Sequence, residues 1–272
     1  MGVQVLVAAM NQRDHSLPEK MHIQSDAIIA NQCDRNAVET FLWQGHTITY
    51  LHFAERGVGL NRNNALLRAT GELLLFADED EVLAEGYPAM LEEAFQKTPQ
   101  ADGMIFNIDL LGDRDGHRQN TVQKRLHLFN ALNYGTVRLC VKGTAVKREN
   151  ITFHTCFGGG TMYSCGEDSL FIGEMLKKGL RLYAHPACIA AVDNRISGWF
   201  RGYTPKYLYD KGALFAALFK RGWRLMCLQD VFRHGGLYAQ GGMNRTQQLA
   251  FMRRGAHGFS TLTPYAAPEE EA

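Results

Sequence analysis

The sequence predicts an α/β fold: a mixed sheet flanked by helices, with a nucleotide-binding half first and a mainly helical region last. Three observations carry that expectation. Apolar runs of the kind buried on both faces of a sheet stop on polar residues, most abruptly where 73–77 runs into Asp78-Glu79-Asp80-Glu81. Helical spacing intervenes between such runs, as in doubly wound proteins. After residue 197 strand signals cease, and glycine-broken stretches of helical spacing follow.

Along the chain, residues 3–9 form the first predicted strand, ended by Asn11-Gln12, and 26–30 the second, ended by Asn31-Gln32-Cys33-Asp34. Residues 47–53, rich in β-branched and aromatic side chains, form the third. A helix is predicted over 59–69, through Leu60, Asn64, Leu67 and Arg68, with Gly71 as its stop. The 73–77 strand follows, then a helix over 87–96, a strand over 103–111 and a polar turn over 111–120. Residues 137–147 read as one or two antiparallel strands, and 157–161 as a glycine-rich loop. Ser164-Cys165-Gly166-Glu167 fits a capping box, so a helix is predicted over 165–178 with Gly179 as its stop. A strand over 181–184 precedes helices over 199–221, 223–233 and 244–254. The chain divides into a domain over 1–194, a basic helical extension over 195–265 and a disordered tail over 266–272.

With 272 residues, 46% hydrophobic and 21% charged, the chain is long enough to bury a sizeable core. The six cysteines form neither Cys-x-x-Cys nor a Cys/His zinc spacing, which fits reduced thiols in the cytoplasm. The N-terminus lacks a basic leader and turns polar too early for a signal peptide. No apolar run approaches the roughly 18 residues of a membrane span. A cytoplasmic protein is expected. The net charge of +1 hides an asymmetry: between Arg195 and Arg254, eleven Lys or Arg face only Asp210 and Asp230.

The acids after the 73–77 run mark a site, because charge near a core is costly unless something pairs with it. Ligands of open α/β sheets sit beyond the carboxyl ends of the strands. Were the strand to continue, Asp78 and Asp80 would share one side and Glu79 the other. Asp-x-Asp there suits a hard divalent cation that shares its remaining sites with phosphate oxygens.

A first strand ending near Asn11, then Asn31-Gln32-Cys33-Asp34, Arg56-Gly57-Val58-Gly59-Leu60-Asn61-Arg62-Asn63, Asp78-Glu79-Asp80 and Gly166-Glu167-Asp168 together form a recognisable order. It resembles the family-2 glycosyltransferases of GT-A fold, and most of all the bacterial branch that builds cell-surface polysaccharides. The resemblance covers about residues 3–190. It implies a GT-A-like sheet with a Rossmann-like nucleotide-sugar half over about 1–110 and an acceptor half over about 111–194. The activity it implies is metal-dependent, inverting transfer of a hexose from a nucleotide sugar, UDP-linked, to a capsule, lipopolysaccharide or other cell-surface glycan.

By the same resemblance, Asp80 is the direct ligand of Mn2+ or Mg2+, ahead of Asp78, and Asp34 contacts the uridine or ribose. Asn11, Arg62 and Asn63 fall where relatives place residues near the donor. Asn-Gln-Cys-Asp departs from the acid-rich Asp-Asp-x-Ser of many relatives and leaves the base open. The amides of Asn31 and Gln32 either meet a base edge or simply end the strand. Gly57 and Gly59 suggest close approach of the backbone to a ligand. His154, His185 and His234 are candidates to complete the metal site, though each reads more simply as a satisfied structural histidine.

Transfer needs a base for the acceptor hydroxyl, and one carboxylate at the mouth of the site suffices. Gly166-Glu167-Asp168 supplies two. Asp168 is preferred, since Glu167 has the alternative task of capping back to Ser164. Gly158 to Gly160 do not match a P-loop, which requires Gly-Lys-Ser/Thr, and in the resembling family such a loop faces the acceptor. Two rivals stand beside this reading. A nucleotidyltransferase would show a basic glycine-rich loop after the first strand, which residues 8–14 lack. A nucleotide-sugar-binding or scaffold protein of the same fold would have lost catalysis, against the presence of Asp80 and Asp168.

The basic region, interleaved with Trp199, Phe200, Tyr203, Tyr207, Phe215, Phe219 and Trp223, invites peripheral contact with anionic membrane at its inner face, where a lipid-linked glycan acceptor would be met. The alternative is that the aromatics pack inward and the cations pair with the acidic N-terminal part. No nucleic-acid-binding module is recognisable.

Overall fold

The computed structural model describes residues 1–111, 119–193 and 202–266. Its strands are β1 (Val3–Met10), β2 (Asp26–Gln32), β3 (Ala37–Trp43), β4 (His46–Phe53), β5 (Leu73–Asp78), β6 (Glu81–Leu83), β7 (Gly103–Leu111), β8 (Lys124–Arg125), β9 (Leu139–Lys142) and β10 (Leu182–Asp193). Its helices are α1 (Leu17–Lys20), α2 (Val58–Arg68), α3 (Tyr87–Lys97), α4 (Leu128–Ala131), α5 (Gly143–Arg148), α6 (Glu167–Lys177), α7 (Pro205–Phe219), α8 (Trp223–Tyr238) and α9 (Arg245–Thr261).

The expected mixed sheet is present, in the order β3-β4-β2-β1-β5-β9-β7-β10-β6, with β8 paired to β10. β1 runs parallel to β2 and β5, and β2 to β4, so the carboxyl ends of four strands meet along one edge. Val5, Val7, Leu73 and Leu75 point to one face, where α1 and α3 contribute Leu17, Leu91 and Phe95. Leu6, Leu74 and Phe76 point to the other, against Leu66 of α2 and Phe171 and Ile172 of α6. Burial on both faces accounts for the unbroken apolar runs.

The structure corrects four expectations. β3 was not anticipated: it is an edge strand whose residues are alternately half-buried and exposed, and it returns to β4 through Gln44 and Gly45, both at positive φ as a two-residue hairpin turn requires. Residues 137–147 hold one strand, β9, antiparallel to β5 and β7, and then helix α5 in place of a second strand. The strand expected over 181–184 continues to Asp193, because β10 pairs with β7 along its length across two irregularities. The helix at Glu167 has Gly166, at φ 114°, as its N-cap, so there is no capping box: Ser164 instead donates through its N–H (3.0 Å) and Oγ (2.5 Å) to Asp210 Oδ2.

The helical region packs around Leu208, Phe215, Cys227, Tyr238 and Met252. At the crossing of α7 and α9, a Cβ on Gly212 would meet the Met252 carbonyl at 1.9 Å, and one on Gly255 the Tyr209 carbonyl at 1.8 Å. Only glycine lets these backbones approach so closely. Phe157 and Tyr163 join Tyr209 and Ala213, which seats α7 on the loop ahead of α6. No helix among the described residues is long and apolar enough to cross a membrane. Residues 112–118 of the polar turn, Arg195, Trp199, Phe200 and residues 267–272 of the tail lie outside the described residues.

Candidate active site

β5 ends at Asp78, whose register partner is Ala8 on β1, and a two-residue turn leads into β6. The four acids therefore diverge instead of alternating. Glu81 turns inward, 2% exposed, and accepts the Asp78 N–H at 2.8 Å. Burial, reinforced by Asp78, holds its carboxyl well above the ordinary range. Glu79 accepts from the Met10 N–H at 3.1 Å and from Gln12 Nε2 at 2.5 Å, tying the β1 loop down, and burial raises its carboxyl too. Asp80 points outward, and its carboxyl is raised by partial desolvation and by Asp78.

Arg62 organises what lies opposite. On α2 and only 4% exposed, it donates through Nη2 to Asp78 Oδ1 at 2.8 Å. Its Nη1 reaches Asp168 Oδ1 at 2.9 Å and, more distantly, Glu167 Oε1 at 3.4 Å. Burial alone would weaken its charge, but Asp78, Asp168 and Glu167 outweigh that and hold it firmly protonated. Its guanidinium also lies 5.5 Å over the Phe153 ring, which stacks on Phe171 at 4.0 Å. Thr136, in the turn before β9, donates to the same Asp168 oxygen. Glu167 lacks such support: burial first, and Asp168 second, push its carboxyl up to about 7.

The donor-side residues divide. Asn11 ends β1 exposed and at φ 56°, its N–H bonded to the Gln32 carbonyl. Asp34 is 91% exposed and paired with Arg56 at 2.5 Å. Asn31 is fully buried: it accepts from the Gln12 N–H and donates to the Gln12 carbonyl and to His52 Nδ1. Gln32 Oε1 accepts the Gly57 N–H at 2.8 Å. Asn63 grips the Phe153 backbone in both directions, at 2.7 and 2.9 Å. Gly59 admits protein, not ligand, since a Cβ there would meet the His154 carbonyl at 2.8 Å. These bonds turn Asn31, Gln32 and Asn63 toward holding loops, and Arg62 toward carboxylates.

His154 and His185 are partly buried, their pKa values lowered by desolvation, and His234 bonds Asp230 on its own helix. A different trio, His15, Glu39 and His52, has metal-like spacing. There the Arg35 guanidinium lies 2.9 Å from Glu39 and 3.1 Å from His52 Nε2, already supplying the positive charge a metal would bring.

Residues 25–166, just over half of the chain, match the family model of glycosyl transferase family 2. The chain belongs to that family. No curated protein matches the sequence. Among solved structures, TarS of S. aureus, residues 1–349 in complex with UDP-GlcNAc, is similar at 13% identity and TM-score 0.60, over 100% of this chain and 95% of that one. The UDP complex of the same TarS fragment is similar at 13% identity and TM-score 0.57, with the same coverage. A longer TarS chain is covered to 55%, at 14% identity and TM-score 0.60. At these identities the likeness is one of GT-A fold.

In this glycosyltransferase the acids border a cavity of about 470 Å³, with Arg62, Asp78, Glu167 and Asp168 on one wall and Leu132 to Gly135 on another. α7 braces it, since Asp210 receives Ser164 and also Lys206 Nζ at 2.6 Å. Asp78 and Asp80 suit a hard divalent cation by their chemistry: two carboxylates two residues apart at the end of a strand, of which Asp80 faces outward and is raised by partial desolvation and by Asp78. The sequence offered no signal that Thr136 would hold Asp168 or that Gln12 would hold Glu79, since both contacts join residues distant in sequence; Glu81, legible as an acid, turned out to accept the Asp78 backbone N–H.

Proposed function

We propose that the transferase moves a sugar, with inversion, from a UDP-linked nucleotide sugar to a bacterial cell-surface glycan, the donor in the half over about 1–110 and the acceptor in that over about 111–194. The observation that carries this is the Arg62 bridge, which draws Asp78 of the donor side and Asp168 of the acceptor side to one guanidinium. The UDP-GlcNAc named for the TarS complex supports a nucleotide-sugar donor. Asp80, with Asp78, would hold Mn2+ or Mg2+, which supplies charge neutralisation to the departing diphosphate. Asp34, exposed and paired only with Arg56 among the described residues, and Asn11, exposed after β1, are the side chains we place against the nucleoside.

Asp168 accepts the acceptor's hydroxyl proton as the new bond forms at the anomeric carbon and the old bond's electron pair leaves on the diphosphate oxygen. Arg62 and Thr136 position that carboxylate. A second reading makes Glu167 the base, favoured by a carboxyl already raised to about 7. Calorimetry of UDP binding tests the metal assignment. Affinity is expected to fall in EDTA, and Asp80→Asn to abolish the benefit of manganese; equal affinity with and without metal would overturn it.

The extension over 195–265 is proposed to rest on anionic membrane, presenting a lipid-linked acceptor. Phe215 is buried and Tyr203, Tyr207, Phe219 and Trp223 pack against the same cluster, so these five aromatics are not the contact. Instead Leu225, Leu228 and Phe232 lie exposed on one stripe of α8, with Arg221 and Arg224 beside it. Among the described residues of the extension, Lys206 pairs with Asp210 within α7 and Lys211 of α7 pairs with Asp230 of α8. Cosedimentation with anionic vesicles at low salt, lost in neutral vesicles and in Phe232→Ser, is expected. No binding to anionic vesicles at low salt would sink the idea.

A further inference from the structure

Beside the catalytic cavity lies a second, of about 520 Å³, which shares Asn133 and Tyr134 with it as a common wall. Arg138 lines it and is 6% exposed, yet among the described residues it has no carboxylate partner; its only contact of note is the Tyr134 ring, 5.1 Å from the guanidinium. Among the described residues no acid lines this cavity, whereas Lys124 and Arg233 join Arg138 there. Asn120, 7% exposed on the same wall, has an unpartnered Nδ2, although its Oδ1 accepts from Tyr134 and its backbone is latched to Asn107. A buried guanidinium is costly without a counter-charge, and a buried amide donor without an acceptor adds to the cost. Both shortfalls face one need: an anion rich in acceptor oxygens.

We infer that this cavity binds a phosphate group of the acceptor, next to the hydroxyl that receives the sugar. Three cations with no acid among the described lining residues suit a multiply charged phosphate better than a single carboxylate, and a guanidinium matches its oxygens in pairs. The inference rests on the transfer reading for the carrier of the phosphate. The shared Tyr134 wall leads directly into Gly135 and Thr136, which touch Asp168, and this places the anion on the acceptor side.

The test is calorimetric titration of inorganic phosphate into the full chain saturated with UDP and Mg2+, which needs no turnover. Binding is expected, weaker by about tenfold or more in Arg138→Gln and partly restored in Arg138→Lys. The exposed pair Lys124→Gln/Arg233→Gln gives an independent loss should Arg138→Gln fail to fold. Glycerol phosphate in solution and phosphatidic acid in vesicles separate a phosphorylated glycan from a lipid-borne phosphate; Arg138-dependent binding of either supports the site. Phosphate binding unchanged by all these variants, or absent from the wild type, overturns it. Loss of UDP affinity in Arg138→Gln would make this the donor's diphosphate site and overturn the acceptor assignment, while the metal test above stands or falls separately. Glucuronate binding as tight as phosphate would overturn the choice of phosphate.

Discussion

Two buried arginines stand on either side of the Tyr134 wall, and their surroundings are opposite. Arg62 is 4% exposed and meets three carboxylates; Arg138 is 6% exposed and, among the described residues, meets none. The first is compensated by the protein itself and fixes the positions of the acids around it. The second carries a charge that no described residue compensates, which costs stability. Buried cations of equal exposure thus serve structure or binding according to what faces them.

Breaking the comparison on the Arg62 side has the largest expected effect. Arg62→Met leaves Asp78, Glu167 and Asp168 crowded without a counter-charge, and removing one partner of a buried ionic group costs about 3–5 kcal/mol. Urea denaturation measures it. A loss near that of an ordinary surface substitution would show that the bridge organises nothing.

Next come the acids it holds. Asp168→Asn should lower turnover by about 100-fold with UDP affinity unchanged, as expected for a group that acts in the transition state. Glu167→Gln serves as the contrast, and pH separates the two. The Glu167 carboxyl is raised from 4.5 to about 7 in the folded protein, so the native state keeps a proton that the unfolded chain has lost. Its contribution is fully present below pH 4.5 and is lost as pH rises through about 7. The wild type should therefore lose stability relative to Glu167→Gln across that window, as read by denaturation at several pH values. If turnover collapses in Glu167→Gln and survives in Asp168→Asn, the roles of the two acids are exchanged.

The smallest expected change is on the other side of the wall. Arg138→Met removes a buried charge that no carboxylate among the described residues pairs, at the loss of one cation–π contact. Thermal unfolding should show stability unchanged or higher, where Arg62→Met is sharply lower. A destabilisation as large as that of Arg62→Met would end the distinction between the two arginines.

Much of this site was legible in the sequence because its signals are local. A strand buried on both faces is a contiguous apolar run, and carboxylates at its end stand out against it, so 73–77 and Asp78 to Glu81 could be read directly. Glu167 and Asp168 were legible as acids at the start of a helix. The edge strand Ala37–Trp43 was not, since partial exposure on one face weakens its pattern. Ser164 was misread because a capping-box spacing cannot reveal that Asp210, 46 residues on, takes both of its donors.

By itself, then, the sequence determined strands β1, β2, β4, β5 and β7, helices α2, α3 and α6, the acids, and the family they resemble, all of which follow from the periodicity and residue type of short stretches. Tertiary structure alone decided what those residues do to one another. Arg62 and Asp168 lie 106 positions apart, and nothing in either neighbourhood states that they meet at 2.9 Å. Arg138 reads in sequence as one cation near the start of an apolar stretch predicted as strand. Its burial without an acid emerges only when the turn before β9 packs against Tyr134 and the 119–124 segment, because charge compensation is a property of what surrounds a group in space.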